Sequence, residues 1–298
     1  MATVKRTPLW DTQALEEWTT HHAAGNTLLL DGKQTHYVVK GSGKPVILIH
    51  GFFFDSTLWC HNLEALAKSH RVYALDLWGF GYSARTVQPS YALYSRQLAA
   101  FMQAMDIEKA TLIGQSLGGG VAIFFSTQFP EKVDQLVLVD SAGLRNPDPL
   151  TTRLFKLRGV GEWLLKLPGN ALRKKMLKDF FLCRPETVSP ALLSRLTGFQ
   201  KIAGTSASAL ALMRLGFADK LEGALQRLAT LDLPIMIIWG AQDRAIPVEL
   251  GQRMHQMLPR SSFFFISEAG HVPNLEQPEA FNARVVAFLG HAPHPEPT

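Results

Sequence analysis

Ser116 stands at the centre of Gly114-Gln115-Ser116-Leu117-Gly118, between a short apolar run, 111–113, and a run with helical spacing, 119–128. A serine hydroxyl is a poor nucleophile at neutral pH. It attacks a carbonyl only where a base takes its proton and a carboxylate orients that base. The setting suits that role: a sharp strand-to-helix turn holds such a serine in a strained backbone conformation with its hydroxyl facing open space, and only tiny residues fit two places before and after it. Gly81-Tyr82-Ser83 and Gly204-Thr205-Ser206 begin the same pattern, but Arg85 and Ser208 end it.

The residues that would complete this chemistry follow in the order acid, then base. Asp243 lies in Gly240-Ala241-Gln242-Asp243-Arg244-Ala245-Ile246-Pro247, directly after the apolar run 234–239. His271 lies in Glu268-Ala269-Gly270-His271-Val272-Pro273, after the run 262–266. The order Ser, Asp, His, each at a strand end, is that of a hydrolase triad. His255 falls inside a helical run, and His291 and His294 fall in a proline-rich tail, so none of these is held at a strand end. Asp140, closing the run 133–139, is the alternative acid; it reads as a cap, because Asp243 sits one strand before the histidine. A tetrahedral oxyanion needs two backbone N–H donors in place beforehand. Leu117 offers one and Phe52 the other, in His50-Gly51-Phe52-Phe53-Phe54, where Gly51 lets the chain turn toward the serine. The His50 side chain reads as structural.

To hold three such residues at one edge, the chain needs a sheet, and the sequence supplies it. Two β-prone runs, 27–30 and 35–39, flank Asp31-Gly32 as an antiparallel hairpin. Beyond them, continuous apolar runs at 45–49, 71–75, 111–113, 133–139, 234–239 and 262–266 alternate with helical patterns at 58–68, 91–105, 119–128, 247–258 and 278–289. Runs without polar alternation suit strands buried on both faces of a parallel sheet, so the class is α/β. The alternation stops for 145–229, which has helical spacing and no strand; it reads as a helical lid inserted after the sixth strand. The expected organisation is an arm at 1–26, a core at 27–144 and 230–290, the lid at 145–229 and a flexible tail at 291–298.

Composition narrows the classes further. The chain has 298 residues, of which 47% are hydrophobic and 18% charged, an ordinary balance for a folded globular protein. Its two cysteines, Cys60 and Cys183, form no spaced pair, which points to free thiols and against a zinc site. With no secretory signal pattern and no apolar run of membrane-spanning length, the expected location is the cytoplasm. The net charge of +5 is uneven: 145–229 carries 15 Lys and Arg against 6 Asp and Glu, while the remainder is net acidic. The basic residues match no nucleic-acid recognition motif.

His50-Gly51, Asp76-Leu77-Trp78-Gly79-Phe80-Gly81-Tyr82-Ser83, the serine turn, the Asp243 loop and Gly270-His271 together resemble the α/β-hydrolase superfamily, in its lid-bearing serine branch. The resemblance covers nearly the whole chain. It implies a mainly parallel sheet of about eight strands, a lid over the serine, and no cofactor or metal. Ser116 disfavours the members with an aspartate nucleophile. Carbon–carbon hydrolases of ring-cleavage pathways share the elbow, yet usually show Gly-Pro-Gly after His-Gly and Trp after the histidine; here stand Phe53-Phe54-Asp55 and Val272. The first expectation is therefore a carboxylesterase acting through an acyl-enzyme on a small or medium, largely apolar ester. Carbon–carbon hydrolysis, or service as a triad-bearing small-molecule receptor, comes second. Phe53, Phe54, Trp163 and Phe217 are the expected pocket residues, and the basic lid stretch 153–178 reads as a solvated face ahead of contact with anionic lipid or acidic substrates.

Overall fold

The structure, a computed structural model, describes residues 9–147, 149–216 and 220–290. Eight strands form one sheet: β1 (Asn26–Leu30), β2 (Lys33–Lys40), β3 (Lys44–Ile49), β4 (His70–Leu75), β5 (Ala110–Gln115), β6 (Val133–Val139), β7 (Ile235–Gly240) and β8 (Ser262–Ile266). Their order is β1-β2-β4-β3-β5-β6-β7-β8. The first two form the expected hairpin, closing at Leu30 opposite Lys33, with Asp31 and Gly32 at φ 50° and 72°, the left-handed pair of a tight two-residue turn. β2 joins β4 antiparallel, and every later pairing is parallel. β5 and β7 are buried along their whole length, as continuous apolar runs require when both faces are covered.

Outside the sheet lie α1 (Leu15–His22), α2 (Leu63–Leu66), α3 (Tyr91–Ala104), α4 (Leu117–Gln128), α11 (Val248–Met257), α12 (Pro273–Glu276) and α13 (Pro278–Leu289), and between β6 and β7 come α5 (Leu150–Lys156), α6 (Val160–Lys166), α7 (Ala171–Met176), α8 (Pro190–Thr197), α9 (Thr205–Leu215) and α10 (Glu222–Leu228). One apolar layer packs α3 and α4 on the sheet through Leu98, Phe101, Val121 and Phe125; the other packs α2 and α13 on the opposite face through Leu66, Phe281 and Val285. The described part of 145–229 contains helices and no strand. No helix of the described residues is long and apolar enough to cross a membrane.

Two expectations shift in detail. The helix expected at 58–68 is divided into a 3-10 turn, Ser56–Trp59, and α2, and at the junction the Asn62 side-chain Nδ2 donates to Asn274 O (3.0 Å) and Asn282 Oδ1 (2.9 Å). In the N-terminal arm, the polar stretch 11–22 reads as one helix, yet the helix begins at Leu15, since the residues before it are pinned to the insert: Asp11 N donates to Gln200 O (3.1 Å), Thr12 N to Lys201 O (2.8 Å), and Ala203 N returns to Gln13 O (2.8 Å). Trp10 Nε1 donates to Gly169 O (2.9 Å) and Trp18 Nε1 to Gly198 O (3.2 Å). The tail at 291–298 lies outside the described residues.

A buried ion pair organises the loop after β4. Asp76 accepts from His36 Nδ1 (2.7 Å), Ser56 N (2.7 Å) and Tyr82 N (2.8 Å). Burial alone would push the Asp76 carboxyl up, yet the His36 charge and these donors hold it down at about 2. Burial likewise opposes a charge on His36, and the Asp76 carboxylate outweighs it, so the imidazole titrates above its ordinary value.

Candidate active site

The strand order reverses at β3, which has β4 on one side and β5 on the other, so a crevice opens beyond the carboxyl ends of β3 and β5. Ser116 leaves β5 into that crevice with φ 53° and ψ −116°, a conformation costing a non-glycine residue about 1–3 kcal/mol. The turn is clamped to the end of β6: Ser116 N donates to Val139 O and Ala142 N to Ser116 O, each at 2.9 Å. A Cβ at Gly118 would run into the Ile49 carbonyl, which is why glycine stands in the first turn of the helix. At Gly51, a Cβ would strike the Gln115 amide and Ser116 Cβ. The chain bearing Phe52 therefore passes directly before the serine. The Leu117 N–H opens α4, where no earlier turn can accept it.

His50 holds this loop as a neutral ring: Nε2 accepts from Leu77 N (3.0 Å), while Nδ1 donates to Gly51 O (2.8 Å). Burial keeps its pKa below the ordinary value.

His271 and Asp243 meet at the ends of β8 and β7. His271 Nδ1 donates to Asp243 Oδ2 at 2.7 Å, and both side chains are buried. Asp243 Oδ1 accepts from Ala245 N (2.8 Å) and Ile246 N (3.0 Å), which fixes the carboxylate. With Nδ1 committed as a donor, Nε2 is the nitrogen left to accept a proton. Ser116 Oγ makes no hydrogen bond among the described residues.

Asp140 lies against this pair, with one carboxyl oxygen accepting from Gly240 N (2.9 Å) and its ligand atom within 4.8 Å of those of Asp243 and His271. Burial, then the Asp243 charge, raises the Asp140 pKa well above the usual carboxyl range. The three donors do not suit a metal. The 2.7 Å between Nδ1 and Oδ2 is shorter than the roughly 3.3 Å edge of a tetrahedral site with 2.0 Å bonds.

Residues without a sequence signal support the histidine. Gln115 Nε2 donates to His271 O (2.7 Å), tying the serine turn to the histidine loop. From the insert, Phe181 O accepts from His271 N (2.8 Å). Glu276 bridges both sides, accepting from Gly270 N (2.6 Å) and Arg184 N (2.7 Å). Only Gln115 stood in a recognisable motif.

A cavity of about 550 Å³ opens over Ser116, with Phe52, Leu117, Phe155, Phe181, Leu212 and Ile246 among its apolar walls. Arg145, Arg153, Lys156 and Lys220 add cations on the insert side. The expected pocket needs correction. Phe53, at φ 62°, and Phe54 turn away and line a separate space of about 30 Å³ against Leu165, Leu172 and Leu196, where they join the loop to the insert. Trp163 is 63% exposed on the outer side of α6 and does not line the cavity. Phe217 lies outside the described residues.

The model of the alpha/beta hydrolase fold matches residues 44–278. The chain belongs to the α/β-hydrolase family. This α/β-hydrolase is 32% identical over 252 residues to the dihydrolipoyllysine-residue acetyltransferase component of the acetoin cleaving system of Pseudomonas putida; the match covers 83% of the chain but 64% of that protein, so the chain spans less than two thirds of its length. It is 29% identical over 282 residues to the 2-hydroxymuconate semialdehyde hydrolase of Pseudomonas sp. strain CF600, covering 90% of the chain and 94% of that protein. Among solved structures it is similar to a mutant of the meta-cleavage product hydrolase from Pseudomonas fluorescens IP01, complexed with acetates, at TM-score 0.75 and 29% identity over 89% of this chain and 97% of that one.

Proposed function

We propose that this α/β-hydrolase cleaves a carbon–carbon bond beside a carbonyl in an anionic product of aromatic ring cleavage. Ser116 is the nucleophile, His271 the base, Asp243 its orienting acid, and the Leu117 and Phe52 amides hold the oxyanion. The observation that carries this reading is the lining of the cavity over Ser116, apolar toward the sheet and cationic at Arg145, Arg153 and Lys220, which suits a carboxylate-bearing substrate. Its likeness, over nearly full length, to a hydrolase of 2-hydroxymuconate semialdehyde supports the same choice. The ester reading, first on sequence grounds, moves to second place. It retains one argument, the departures at Phe53-Phe54-Asp55 and Val272.

In the proposed reaction, Ser116 Oγ adds to the carbonyl and its proton passes to His271 Nε2. The oxyanion collapses, and the carbon–carbon bond breaks with its electron pair leaving as an enolate, which takes the proton from His271. Water, deprotonated by the same imidazole, then opens the acyl-enzyme and frees the acid.

The test compares kcat/KM for 2-hydroxymuconate semialdehyde, followed by loss of its absorbance, with that for p-nitrophenyl esters from acetate to palmitate. A higher value for the ring-cleavage product, lost in Ser116→Ala, supports the proposal. A higher value for an ester, also lost in Ser116→Ala, returns the carboxylesterase reading to first place.

A further inference from the structure

Single exposed leucines are ordinary on protein surfaces, but a continuous exposed stripe is not. Leu150, Leu154, Leu157, Val160 and Trp163 succeed one another every three or four residues along α5, its C-terminal turn and α6, and all five are exposed. Leu215 and Val87, also exposed, border the same region in a shallow depression that they share with Arg158 and Lys166. Five of the six tryptophans are buried; Trp163 alone is not.

The segment that carries this stripe is one-sided in charge, with Asp11 facing Lys166 at 3.9 Å across the depression. Residues 149–178 carry eight Lys and Arg and a single acid, Glu162. That acid is already engaged by Arg214, at 2.7 Å. Arg153 and Arg158 are interleaved with the exposed leucines, and Lys166 follows Trp163 by one turn. The helix that carries Leu150 and Leu154 also faces inward: Thr151, Thr152 and Phe155 of α5 line the cavity over Ser116.

We propose that α5 and α6 form a docking face for an anionic lipid surface, into which the leucines and Trp163 insert while the Arg and Lys residues meet the headgroups. Short helices with an apolar side, a basic rim and an aromatic at the boundary are the pattern of interfacial binding. A second copy of the chain suits the face less well, since a twofold contact would set the same basic residues against one another. Docking would hold the mouth of the cavity at the lipid boundary, whichever bond Ser116 cleaves.

The experiment is co-sedimentation of the full chain with vesicles of phosphatidylcholine containing phosphatidylglycerol, against phosphatidylcholine alone, with tryptophan emission recorded and Trp163→Phe as the optical control. Expected are partition onto the anionic vesicles, a blue shift absent from Trp163→Phe, and loss of partition in Leu154→Ser/Leu157→Ser, whose unfolding transition should match the parent's. Neutralising Arg158 and Lys166 to Gln should weaken partition about fivefold per charge. Three results would overturn the proposal: no partition at low salt, partition indifferent to the serine changes, or a concentration-dependent dimer that those changes dissolve without any vesicle binding.

Discussion

The sheet and the insert handle their apolar residues in opposite ways. In β5 and β7 every residue is buried, and loops at the carboxyl edge of the sheet are stapled by backbone hydrogen bonds and by a buried carboxylate such as Asp76 or Asp140. In the insert, most helices are only six to eight residues long, and leucines of α5 stand in the open. Each insert helix is too short to be stable by itself and depends on whatever it packs against. The lesson is a division of labour: loops at the sheet edge hold Ser116, Asp243 and His271 through buried hydrogen bonds, while the insert supplies much of the cavity wall.

The strongest challenge to that division is Ser116→Ala. It should lower kcat by about 10⁴-fold or more on every substrate, with an unchanged unfolding midpoint, as expected for an isolated nucleophile. Residual turnover near the parent's would move the chemistry elsewhere. Next comes the paired comparison of Asp243→Asn with Asp140→Asn. The first should lower kcat about 10⁴-fold, as loss of the orienting carboxylate does, and the second less than tenfold, because Asp140 makes no hydrogen bond to the imidazole. The opposite ranking would exchange the two roles.

Stability of the sheet side should respond to the His36–Asp76 pair. Asp76→Asn leaves a buried imidazolium uncompensated and should cost about 3–5 kcal/mol in urea unfolding. The pH dependence has two limbs. The contribution of Asp76 is complete above its unfolded value near 3.8 and fades as pH falls toward about 2. That of His36 is complete below its unfolded value near 6.5 and fades as pH rises through its raised folded value. The Asn variant should therefore lose most between those two values; a deficit constant with pH would mean that packing, not charge, is responsible.

On the insert side the effects should be smaller. Arg145→Ala, at an exposed position of the cavity wall, should raise KM for a carboxylate-bearing substrate roughly fivefold and leave kcat and a neutral ester almost unchanged. A kcat effect there would show that the insert shares in the chemistry.

The strands were legible because two-sided burial writes itself as unbroken apolar runs, and the serine turn because sterics favour glycine two places before and after the serine. The pocket was not legible. Phe52, Phe53 and Phe54 are chemically alike, and which ring meets substrate depends on the positive φ of Phe53, a backbone angle that composition does not encode. Trp163 looked inward because it is aromatic, yet a seven-residue helix offers too little periodicity to reveal its covered side. Gln115 and Phe181 act through one hydrogen bond each across 156 residues and across the insert, and nothing local marks such partners.

The arm that ties Trp10 to Gly169 and Trp18 to Gly198 also orders events during synthesis. These bonds span 159 and 180 positions. At ordinary elongation rates the two tryptophans emerge from the ribosome roughly ten seconds or more before their partners exist. Trp10 and Trp18 thus wait for partners that are made much later, and through that interval the nascent chain carries two uncovered indoles that a chaperone or a neighbouring chain can reach.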